Sequence, residues 1–162
     1  EQGRCLGNTG GHIMFNNFSK NWKYLEDQGI ISNQEYINAT FTQHYRTVEE
    51  FRAPFDNKDS VISKSGLILK SCETMITECP YKIHYFNNKN TMSPQDYAKT
   101  LIPTMRSWSE TVFRNALVDR TEREMNEIVD KFYNLYIDEV SNDPEGHAMD
   151  YVHVIMDIEK AY

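Results

Sequence analysis

The segment MDYVHVIMDIEK, residues 149–160, constrains the fold more than any other part of this 162-residue chain. In an extended strand Val152, Val154, Met156 and Ile158 share one side, and Tyr151, His153 and Ile155 share the other. A strand apolar on one face and mostly apolar on the other is predicted to sit inside a covered sheet, not at a free edge. It needs neighbours, and the chain supplies few. GLILKSCETMIT, residues 66–77, is rich in apolar and β-branched residues without a helical period and is followed by Pro80, so it is predicted as a second strand. Two strands neither satisfy their own edges nor bury both faces. With no internal repeat to rebuild it, the sheet is expected to continue in other polypeptide.

The remaining signals are helical. Met14, Phe15, Phe18, Trp22 and Leu25 recur at three- and four-residue steps and predict a helix over 12–28, closed by Gly29. Ser32 with Glu35, Thr47 with Glu50 and Thr121 with Glu124 each have the spacing of a capping box. The helix after Thr47 is predicted to stop near Ala53, because Pro54 follows. NNKNTMSP, residues 87–94, reads as a polar loop in which Ser93 caps a helix opened by Pro94. That helix is expected to reach about Leu117, bent or interrupted at Pro103. After Thr121, one face carries Met125, Ile128, Val129, Phe132, Leu135, Tyr136 and Val140.

Hydrophobic residues at 40% and charged residues at 25% give a globular balance, and one domain's length is enough for a core. A formal charge of −7 with no basic stripe argues against nucleic acid as a partner. No apolar run approaches the roughly 20 residues that span a bilayer, so no membrane association is expected. Cys5, Cys72 and Cys79 form neither an even disulfide framework nor a CxxC pair and read as thiols of a reducing, cytoplasmic compartment. The triplets starting at Asn17 and Asn38 match a glycosylation pattern that means little there.

Few residues point to chemistry by themselves. GRCLGNTGG lacks a preceding strand, the G-x-G-x-x-G spacing and a GK[ST] ending, so it reads as a loop feeding the first helix and not as a phosphate cradle. No two of the five histidines lie four apart on a helix, which weakens a metal reading. Arg106 and Glu110 form an i,i+4 pair of structural character, and His153, among apolar strand neighbours, reads as an interior histidine. Phe18, Trp22 and Leu25 read as core.

GRCLGNTGGHIMF, Gly29-Ile30-Ile31, HYRTVEEFRAPF, CETMITECPY, MRSWSETVF and GHAMDYVHVIMDIEKA occur in this order. Together they resemble the C-terminal half of the SABATH family, the salicylic acid, benzoic acid and theobromine methyltransferases, over essentially the whole chain and closest to its non-plant branch. The resemblance implies an α/β fold: the C-terminal part of a Rossmann-like class I methyltransferase. This part would be mostly helical, with cap helices, a long core helix and two terminal strands that are antiparallel neighbours in a seven-stranded sheet. It implies that residues 1–60 form the first part of the cap after the fifth strand, and 61–80 the penultimate strand region. Residues 81–118 would be the second part of the cap, and 119–162 the core helix and last strand. Glu1 would then lie mid-chain in a longer protein. S-adenosylmethionine is the implied cofactor, held mainly by the N-terminal half at the carboxyl ends of the first parallel strands, so this half carries no cofactor-binding or catalytic residue.

The same resemblance, carried over position by position, implies that Met14, Phe15, Tyr45, Met105, Trp108 and Tyr151 bind substrate. Trp108 is bulkier than the small aliphatic residue common there in plant members, which bears on pocket volume. Plant relatives can hold magnesium near the segment that here reads NATFTQHY. At the matching positions Asn38 replaces a carboxylate and Phe41 offers no side-chain oxygen, a poor set for a hard cation. The implied partner is a small carboxylic acid, with a homodimer as a further option. Methyl transfer to a carboxylate needs alignment and exclusion of water but no protein base, so the lack of a catalytic triad fits. The competing reading is a non-catalytic, mainly helical protein-interaction module presenting Met14 and Phe15; a third is a relative that kept the lid and lost catalysis.

Overall fold

The computed structural model describes residues 10–42 and 45–161. The glycine-rich opening with Cys5, and His44, lie outside them. In chain order the elements are α1 (Gly10–Asp27), α2 (Asn33–Asn38), α3 (Val48–Asp56), α4 (Val61–Lys64), β1 (Leu67–Thr77), α5 (Pro80–Asn87), α6 (Pro94–Ala116), α7 (Glu122–Asn142) and β2 (Tyr151–Lys160). The chain is mixed α/β, mostly helical, with two antiparallel strands. It divides into two compact units: residues 10–42 and 78–150, and residues 45–77 and 151–161.

The first unit is all helical, and α7 packs against α1 and α6. Three of its starts follow capping signals in the sequence. Ser32, Ser93 and Thr121 each complete a capping box, satisfying two backbone N–H groups that the first turn leaves without partners. Gly29 ends α1 at φ +68°; its N–H donates to Glu26 O at 2.8 Å and that of Ile30 to Leu25 O at 2.9 Å. This pair of bonds needs a left-handed residue, which glycine adopts without steric cost. Phe18, Trp22, Leu25, Leu101, Phe113, Val129 and Phe132 form the centre of the core. Tyr133, off the predicted apolar face of α7, is buried as well because its hydroxyl meets Ser109 Oγ at 2.7 Å. Met125 and Leu135, on the predicted face, are only partly buried.

Proline limits the helices less than predicted. α6 runs unbroken through Pro103. Pro103 and Lys99, whose carbonyl loses its partner, are both exposed, so water can take that bond. α3 likewise continues past Pro54 to Asp56, and the Asn57 N–H still donates to Ala53 O at 3.1 Å. Only one ladder bond is missing there, close to the helix end.

The second unit is a ribbon with α3 and α4 packed on β1. β1 and β2 pair antiparallel from Leu67↔Lys160 to Thr77↔Tyr151, with an irregularity between Leu69 and Ser71 that leaves Lys70 as an extra residue. Gly66 turns into β1 at φ +78°, and an added Cβ would meet the backbone oxygen of Ala161 at 3.1 Å. The expectation that β2 lies within a covered sheet is not met by the described residues: Tyr151, Val152, Ile155 and Ile158 are all exposed. Among the described residues the sheet has two strands, each with one open edge, and the helices packed on it, α3 and α4, lie on β1. For the same reason His153 is not interior; it is exposed and stacks on Tyr151 with ring centroids 6.1 Å apart.

Candidate functional site: an aromatic cluster in the helical unit

The helical stripe of α1 places Phe15 and Phe18 one turn apart, while α6 contributes Trp108 and Phe113. Phe41 joins them from the connection after α2. Phe15, Phe41 and Trp108 meet pairwise with centroids 5.4, 6.4 and 6.3 Å apart, each pair edge-to-face. All three also contact Phe18, at 6.1, 5.6 and 6.0 Å respectively. Phe18 is fully buried, Phe15 and Phe41 are partly buried, and Trp108 keeps 38% of its surface exposed. Edge-to-face contacts of this kind stabilise aromatic pairs beyond their area burial. The result is an apolar, ring-lined surface on a rigid base, with chemistry suited to contact with another planar apolar group.

Of the six residues that the resemblance assigns to substrate, Phe15 and Trp108 are brought together in this cluster. Met14 and Met105 are buried, at 5% and 0% exposure, and belong to the hydrophobic core beneath it. An interaction surface built on Met14 and Phe15 therefore retains only Phe15 as an accessible member. Tyr45 and Tyr151 belong to the ribbon unit and are exposed. Phe41, considered in the sequence only as a poor metal position, is the ring that the sequence reading missed. It lies outside any helix, so no periodic signal marked it. A cavity in the ribbon unit, lined by Arg52, Phe55, Asp56 and Cys72 among others, contains none of the six.

Polar groups flank the core without converging on the rings. Arg106 lies over the Tyr133 ring at 5.1 Å and pairs with Glu110 at 2.6 Å and Asp130 at 2.7 Å, so its charge is engaged on the α6–α7 side. Burial raises the Tyr133 and Tyr136 hydroxyls well above the usual phenol range, leaving both neutral donors. Burial also lowers the pKa of His147, whose Nδ1 lies 3.3 Å from Asn17 Nδ2 and whose carbonyl accepts from Tyr97 Oη at 2.7 Å. These bonds anchor the 143–150 connection to α1 and α6. Among the described residues no group of three or more His, Cys, Asp or Glu side chains is placed to hold a metal ion, and no helix is long and apolar enough to cross a membrane.

Comparison with models of known protein families finds no match, and comparison with curated proteins finds none.

Proposed function

We propose that this chain supplies the apolar substrate lid of an S-adenosylmethionine-dependent methyltransferase, which transfers a methyl group to the carboxylate or ring nitrogen of a small molecule. The observation that carries the reading is the aromatic cluster. Phe15 and Trp108, assigned to substrate by the sequence resemblance, lie 6.4 Å apart on a buried aromatic base and are both partly open to solvent. Support also comes from the ribbon, whose two strands are antiparallel neighbours with apolar residues exposed on both faces. A sheet of that kind accepts further strands.

The chemistry asked of these residues is modest. A carboxylate, with an ordinary pKa near about 4, is already ionised at neutral pH. Displacement at the sulfonium methyl then requires the oxygen, carbon and sulfur to be in line, with water kept from the nucleophile. Phe15 and Trp108 would hold the acceptor ring by its face and edge and exclude water from its apolar side. When bound, the donor supplies the activated methyl group; its binding residues are expected outside this chain.

The direct test is incubation of the full-length protein, this chain joined to the polypeptide expected to bind the donor, with methyl-labelled donor and a panel of aromatic acids and ring-nitrogen bases. Labelled ester or N-methyl product is expected, and Trp108→Ala is expected to extend the panel to larger acids. No product from any acceptor would sink the reading, and coincident profiles for parent and variant would remove Trp108 from the pocket. Residues 1–162 alone are expected to bind the donor weakly or not at all; micromolar affinity by calorimetry would show that the donor site lies within them.

A further inference from the structure

We propose that Phe41 determines the size of ring that this lid admits, an inference that rests on the methyltransferase reading and identifies a selectivity residue within it. Phe41 sits in a pinned connection. Thr40 donates its N–H to Asn38 O at 2.9 Å and its Oγ1–H to Ile37 O at 3.0 Å, and Asn38 Nδ2 donates to Ala116 O at 3.5 Å. From this connection the ring reaches four others: Phe15 at 5.4 Å, Phe18 at 5.6 Å, Phe113 at 5.5 Å and Trp108 at 6.3 Å. Phe18 and Phe113 are fully buried, whereas Phe15 and Trp108 are partly open, so Phe41 links the core to the accessible rings.

That position makes Phe41 a wedge. Phe15 and Trp108 are carried by α1 and α6, and the Phe41 ring fills the space beside both of them. Shortening it opens a gap between the accessible rings of Phe15 and Trp108 and the buried Phe18. A planar group one ring wide would meet the parent cluster face to edge, and a fused two-ring group needs the volume that Phe41 occupies. Hydroxylation of the ring, as in Phe41→Tyr, changes its shape very little.

Binding can be followed through Trp108, because the other tryptophan, Trp22, is only 2% exposed. The probes are benzoate and naphthalene-2-carboxylate, titrated into the parent, Phe41→Ala and Phe41→Tyr proteins, with methyl ester measured in parallel on the same variants of the full-length protein supplied with S-adenosylmethionine. Phe41→Ala is expected to shift the affinity ratio toward the two-ring acid by at least about tenfold, the scale on which one pocket contact discriminates. Phe41→Tyr is expected to keep the parent ratio. If Phe41→Ala does not fold, Phe41→Leu carries the same test with a smaller expected shift. An unchanged ratio overturns the proposal, as does failure of the parent to bind either acid. Ester formed with unchanged preference removes Phe41 and keeps the methyltransferase reading. A shifted ratio without ester keeps Phe41 as a selectivity residue and removes the methyltransferase reading.

Discussion

Glu35 and Arg120 show how one ion pair ties distant parts of the helical unit together. Arg120 donates from Nε to Glu35 Oε1 and from Nη2 to Oε2, both at 2.8 Å, and the Ser32 N–H donates to Oε2 at 2.7 Å. Glu35 is 3% exposed. The Arg120 guanidinium and the Ser32 N–H outweigh burial and hold the Glu35 pKa at about 2. A carboxylate whose folded pKa is depressed adds stability above its unfolded value and loses it as pH falls toward the folded one. The contribution from this drop below the ordinary 4.5 is therefore complete above that value, reaching about 3 kcal/mol, and declines toward pH 2. His147, buried neutral, adds its own loss of stability in acid, beginning as pH falls below its ordinary 6.5. Urea unfolding at a series of pH values is expected to show both phases. Glu35→Gln should shrink the lower one, and an unchanged lower phase in the variant would mean that other carboxylates carry it. Glu35 was legible as a capping residue because its partner Ser32 is three positions away. Its bond to Arg120, 85 residues on, was not.

At the scale of elements, capping boxes and helical periodicity marked most helices, the apolar and β-branched content of residues 66–77 marked one strand and the alternation of 149–160 the other. These signals are local and are set by backbone groups a few residues apart. The exceptions have identifiable causes. α5 begins at Pro80 with Cys79 at its N-cap, and the Cys79 side chain makes no capping bond. The Cys79 N–H is instead taken by Asp150 Oδ1 at 2.7 Å, from 71 positions away, so nothing in the local sequence announced the helix. Asp150→Ala is expected to lower stability by about 1 kcal/mol, the usual net value of a hydrogen bond. Hydrogen exchange should show the added opening concentrated in the first turn of α5. Unchanged protection there would show that water replaces the carboxylate at little cost. α4 is a single turn, capped by Ser60 but too short to show a period. Proline at positions 54 and 103 leaves its helix continuous, because its cost depends on whether the lost carbonyl bond can be replaced by solvent.

For the molecule as a whole, the uneven distribution of apolar surface matters most. The helical unit buries a ring-rich core, whereas the ribbon leaves Ile68, Met75, Ile76, Tyr151, Val152, Ile155 and Ile158 exposed. Such a surface beside open strand edges favours association. Residues 1–162 are expected to sediment as concentration-dependent oligomers. The double substitution Ile155→Lys with Ile158→Lys is expected to shift them toward monomer without altering helix content. Monodisperse parent protein at high concentration would contradict this. The sequence by itself determined most element types, most helix starts and the two-sided apolar character of β2, because each follows from residue spacing along one strand or helix. Only the tertiary structure decided which apolar residues became core and which remained accessible. Met14 and Phe15 are adjacent in one helix stripe, yet the first is sealed in the core and the second stays partly open. Phe41 joins the same rings from a segment with no periodicity at all. Burial depends on which surfaces from distant parts of the chain meet, and spacing within one segment does not encode that.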